Sequence, residues 1–185
     1  KKEANDEPVE KLLTRINSKI KENNKNENHI LEEIDLYNTE LPTHWKYVKI
    51  QQVCNGVVPG RYKPEKFDGD IPWITLPDIT EFYVAKSKKN HNLSEEEAKK
   101  VNMKTFPPKT VLMSCVGELG RICISKCKVV PNQQLHGFIP YDKVVPEYIA
   151  YALMSITEQI NKKSTKTTMP YLNKTKCNNL IIPLT

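Results

Sequence analysis

From Leu41 onward the apolar residues arrive in short runs, most with the two-residue period of a strand, and no regular alternation of strand with helix follows. Trp45-Lys46-Tyr47-Val48-Lys49-Ile50 alternates as a strand does, and Ile71–Leu76 and Phe82–Ala85 read as further strands. Thr110–Cys115 and Arg121–Ser125 flank Gly117-Glu118-Leu119-Gly120 as the arms of a hairpin flank its turn. Leu135–Ile139 and Leu180–Ile182 complete the strands. Two helices interrupt them. Ser94-Glu95-Glu96-Glu97 has the form of a capping box opening a short helix to about Val101, and Pro146 opens another carrying Ile149, Ala152, Leu153, Ile156 and Ile160. Strands with irregular helical insertions predict an α+β fold: one domain with a mixed, twisted β core and a few helices.

The segment before Leu41 is different. Asp6 can cap a helix, Pro8 suits its first turn, and Val9, Leu12, Leu13, Ile16 and Ile20 fall on one face. Asn23–Asn28 holds nothing to bury and reads as a solvated linker, after which Ile30, Leu31, Ile34 and Leu36 can add a turn packed on the body. Residues 1–40 are therefore expected to form a helical segment and linker, and residues 41–185 the main domain. The apolar stripe suits a partner-facing surface, or a helix folded onto its own domain.

Charge separates the same two parts. Residues 1–45 carry seven basic against ten acidic residues, a balance of −3, whereas residues 46–185 carry 21 against 12, a balance of +9. A basic body suits phosphate binding, because neutralising phosphates releases counterions. It favours nucleic acid only weakly alone, since 25 of the 28 basic residues are lysines and an AT-rich genome enriches lysine. Because residues 1–45 carry the negative balance, the first helix is expected to face a partner or the core rather than to read DNA.

Cys54, Cys115, Cys123, Cys127 and Cys177 are odd in number and scattered, so reduced thiols in a cytoplasm are expected, and no histidine is assigned to a metal. The N-terminus lacks the apolar stretch of a signal peptide, and no run is long enough to span a bilayer.

Enzyme signals are poor. Pro77-Asp78 and Glu97-Ala98-Lys99 formally match the Pro-Asp…Glu-x-Lys pattern of metal-dependent nucleases, but that chemistry needs Glu and Lys on one face of a strand, and here they open a helix. No Asn/Asp-Pro-Pro-Tyr/Phe motif of a methyltransferase is present, and six glycines leave little to cradle a nucleotide. Gly117–Gly120 imitates the loop of KH-type RNA binders, but that loop joins helices. Ile71, Trp73, Ile74 and Leu76 read as core rather than as a base-stacking platform.

Seven segments in order resemble the specificity subunits of Type I restriction–modification systems. They are Asn5–Ile16, Leu41-Pro42-Thr43-His44-Trp45 with the strand after it, Asp70–Ile79, Ser114–Arg121, Asn132–His136, Thr167-Thr168-Met169-Pro170-Tyr171-Leu172-Asn173-Lys174, and Leu180–Leu184. Lys166 stands where the family usually has glycine, and Glu118 replaces a small or hydroxyl residue in the Gly-x-x-Gly turn. The resemblance implies a non-catalytic target-recognition domain that binds double-stranded DNA and needs no cofactor of its own. Its partners would be the methyltransferase and restriction subunits, with a second recognition domain in cis or as a dimer. The resemblance also implies a long helix after Thr185, so the chain is expected to be a fragment or half of a split subunit.

Two loops then become candidates for DNA contact. Arg61, Tyr62, Lys63 and Lys66 lie in the proline-stiffened Pro59–Lys66 loop, where Arg61 can donate two bonds to a guanine edge. Lys166, Thr167, Thr168, Tyr171, Asn173 and Lys174 supply donors for phosphates and base edges in a second, polar loop. The competing reading is an interaction module docking through its helices, with the basic body incidental.

Overall fold

The structure is a computed structural model that describes residues 7–23, 41–141, 143–165 and 169–185, the side chains of residues 20–23 excepted. Asp6, Asn24–Asn28, the apolar residues from Ile30 to Leu36, and Lys166, Thr167 and Thr168 lie outside the described residues, as does the side chain of Ile20.

The architecture is α+β. Its centre is a five-stranded mixed sheet in the order β2-β9-β6-β7-β4, formed by β2 (Cys54–Val57), β4 (Tyr83–Val84), β6 (Val111–Ser114), β7 (Ile122–Ser125) and β9 (Leu135–Pro140). The expected hairpin is β6 and β7, antiparallel with Leu112 opposite Cys123. Gly117 and Gly120 make its turn at φ 77° and 76°, a conformation that side chains with a Cβ rarely adopt. β6 is buried at every residue because Val111 and Met113 enter one core cluster and Leu112 another on the opposite face. A strand covered on both sides reads as a continuous apolar run, which is how Val-Leu-Met appears.

A small sheet, β5-β3-β8, joins β3 (Ile71–Ile74) to β5 (Asn92–Leu93) antiparallel and to β8 (Val130–Pro131) parallel. A two-stranded sheet pairs β1 (Lys46–Lys49) with β10 (Ile181–Leu184), Val48 opposite Ile182. The strand expected over Ile71–Leu76 stops at Ile74. There the Asp78 carboxylate accepts bonds from the Thr75 amide at 2.7 Å and the Thr75 hydroxyl at 2.6 Å, winding Leu76–Asp78 into a 3₁₀ turn.

α1 (Val9–Asn23) lies against this body: Val9, Leu13 and Ile16 are buried in one core cluster with Val48, Ile50 and Leu184, and Leu12 packs at its edge. The single helix expected from Pro146 is two, α3 (Pro146–Ser155) and α4 (Thr157–Lys163). At the break the hydroxyls of Ser155 and Thr157 bond the carbonyls of Ala152 and Met154, an alternative to regular helical pairing. Ile149, Ala152, Leu153 and Ile160 nevertheless reach the core. α2 (Glu95–Lys100) starts where expected, and α5 (Lys174–Asn178) is an additional short helix capped by Asn173.

Candidate nucleic-acid interface

The loop from Val58 to Lys66 leaves β2 and is held at three places. A Cβ on Gly60 would come 2.3 Å from the Asn102 carbonyl oxygen and 2.9 Å from Met103 Cα, so only glycine lets the loop lie on that backbone. Pro64 is buried. The third hold corrects the sequence reading of the capping box. Ser94 Oγ does accept the Glu97 amide at 3.1 Å, but the Glu97 carboxylate turns away and accepts the backbone amides of Glu65 at 2.8 Å and Lys66 at 3.3 Å. The Glu65 amide, with help from Lys66 and Lys100, holds the Glu97 carboxyl below the usual carboxylate range. Lys100 Nζ also meets the Glu65 carboxylate at 2.8 Å.

These holds leave the apex outward. Arg61, Tyr62 and Lys63 are exposed, Tyr62 at 68%, and Lys66 is exposed after them. Among the described residues no ion pair engages Arg61 or Lys63. A rigid base under two cations and an exposed aromatic ring can contact phosphates and base edges without first paying to order the loop.

Part of the second loop lies beside the hairpin turn. Gly117 N–H donates to the Pro170 carbonyl at 2.9 Å, Leu172 N–H to the Cys115 carbonyl at 2.9 Å, and Val116 bridges Tyr171. Tyr171 and Lys174 are exposed. Asn173 is exposed too, but its carboxamide oxygen accepts the Lys176 amide at 2.8 Å as the N-cap of α5. The two loops rest on touching elements: β2 leads into the first, α5 follows the second, and a Cβ on Gly56 of β2 would fall 2.1 Å from Asn178 Oδ1 of α5.

The acids of the nuclease-like pattern are both engaged with backbone. Asp78 accepts the Lys88 amide at 2.7 Å in addition to its Thr75 bonds, and Glu97 holds the first loop. Ile71 and Ile74 are core, while Trp73 is half-buried in an aromatic group with Phe67 and His91, whose rings stack at 4.1 Å. Among the described residues one set of ligating side chains converges, Cys115, His136 and Cys177, which their wide sequence separation hides. The anchoring roles of Gly60 and Glu97 were equally invisible; only the glycine beside Pro59 hinted at a constrained turn.

The family profile described as the Type I restriction modification DNA specificity domain matches residues 42–185. The chain belongs to that family. It is 31% identical over 150 residues to the Type I restriction enzyme MjaIX specificity subunit of Methanocaldococcus jannaschii, a match covering 78% of this chain and 35% of that subunit. The HindI specificity subunit of Haemophilus influenzae is 25% identical over 117 residues, covering 61% of this chain and 25% of its own length. The specificity-domain chain thus spans about a third or less of these relatives. In fold it is similar to a chain of a type I R-M system solved for its complex assembly and conformational transition, with TM-score 0.62, 18% identity, and coverage of 95% of this chain and 42% of that one. It is also similar to the HsdS subunit from Thermoanaerobacter tengcongensis, with TM-score 0.57, 17% identity, and coverage of 95% and 38%.

Proposed function

We propose that this specificity-domain chain binds DNA sequence-specifically, reading one half of a bipartite target and directing partner methyltransferase and restriction subunits, without catalysing either reaction and without binding S-adenosylmethionine or ATP itself. Residues 41–185 act as the recognition unit and residues 1–40 as its helical segment and linker. The observation that carries this reading is the Val58–Lys66 loop, anchored through Gly60, Pro64 and Glu97 while Arg61, Tyr62 and Lys63 face outward in a chain of this family. The +9 balance of residues 46–185 supports it electrostatically. Asp78 and Glu97 serve loop backbones, which supports a non-catalytic role. Docking through the α1 stripe is disfavoured because Val9, Leu13 and Ile16 are already covered by the chain's own core.

Fluorescence anisotropy of a labelled random-sequence duplex, titrated with the chain at low and physiological salt, tests DNA binding. We expect binding that weakens steeply with salt, since log K falls by about 0.9 per phosphate contact for each unit of log salt. Folded protein that leaves the duplex free at low salt would refute the proposal.

A further inference from the structure

Cys115 follows β6, His136 lies on β9 and Cys177 on α5. The β6–β9 register sets Met113 opposite His136, so Cys115, two residues further on, shares a sheet face with them as a diagonal neighbour. α5 brings Cys177 to the same point. One ligating atom from each residue lies within 4.8 Å of the others, and the two sulfurs are 3.4 Å apart. All three residues are buried, the cysteines at 0% and 1% exposure and the histidine at 4%.

We propose that Cys115, His136 and Cys177 form a binding site for one thiophilic divalent metal ion of the zinc type. Zinc holds thiolate sulfur at about 2.3 Å and imidazole nitrogen at about 2.0 Å in a tetrahedron, so its ligand atoms stand under about 4 Å apart. The two sulfurs already meet that spacing, and a small movement of the His136 ring completes it. Two thiolates and an imidazole are the donors that select zinc over magnesium or calcium, which take oxygen ligands. Three protein ligands leave the fourth tetrahedral position to a non-protein ligand such as water. Full burial is compatible with loading because such an ion binds as the chain folds, and its binding energy then adds to folding energy. The ion would tie α5, and the Pro170–Asn173 segment before it, to the central sheet. This inference stands independently of DNA binding.

The test is to unfold the full chain in denaturant with chelator and reductant, then refold it with cobalt(II) or zinc and remove loosely held metal by gel filtration. We expect one equivalent of metal per chain, thiolate-to-cobalt charge-transfer and tetrahedral d–d bands in the cobalt form, and a melting temperature several degrees higher with zinc. Cys177→Ser and His136→Asn should abolish the bands, whereas Cys127→Ser, at a half-buried thiol bonded to the Ala85 carbonyl, should keep them. Should those two variants fail to fold, stoichiometry and spectrum of the parent chain still decide. No retained metal in the folded, reduced parent, or bands without thiolate character, would overturn the proposal.

Discussion

At the scale of single residues, the first loop separates side chains that shape it from side chains that face solvent. Arg61 belongs to the second kind, and its planar fork can donate twice to one guanine edge. Arg61→Ala should cost about 1–3 kcal/mol at one base-pair position, seen as lost preference there in a selection from randomised duplexes. Equal weakening at every sequence would make it a phosphate contact instead. Glu97 belongs to the first kind. Its carboxyl is depressed in the folded state by the Glu65 and Lys66 amides. Its contribution to stability is therefore complete above the ordinary glutamate range and is lost as pH falls through the lower folded value. Melting curves of the parent and Glu97→Gln should differ most near neutrality and converge in acid; a gap that stays constant with pH would show that charge at Glu97 is not what holds the loop.

At the scale of elements, α1 is part of the body. Its stripe meets Val48, Ile50 and Leu184, so truncating one buried side chain, as in Leu13→Ala, should destabilise the chain by about 2–5 kcal/mol in urea unfolding. A change near zero would mean that the helix detaches freely in solution. Strands with an apolar run or strict alternation were legible in the sequence: β6, β7 and β9 fall where Val111, Ile122 and Leu135 announced them. β2 was not, because Cys54-Asn55-Gly56-Val57 has no strand pattern and exists through pairing with β9. α5 was hidden for a similar reason, since Lys-Thr-Lys-Cys-Asn offers no stripe and only the Asn173 cap marks its start. The first candidate loop was visible as basic and aromatic residues between strands, and the second as a polar run after the helix that Pro146 opens. What fixes the first loop was not visible, because Glu97 reaches it across 32 positions and capping its own helix was the simpler local expectation.

At the scale of the whole molecule, the formal charge of +6 conceals an acidic front and a basic body, and the proposed long-range attraction to DNA would belong to the body. If the chain reads one half of a bipartite target, as proposed, its own affinity should be modest and dominated by phosphate contacts. Among the described residues no helix is long and apolar enough to cross a membrane. On the proposed function, the body meets DNA through the anchored loop. The most direct measurement is the slope of log K against log salt for a random duplex, compared between the parent chain and the folded double variant Lys63→Ala, Lys66→Ala. We expect a steep parent slope that becomes shallower by about two in the variant, roughly one per lost cation. Identical slopes in the two proteins would contradict it.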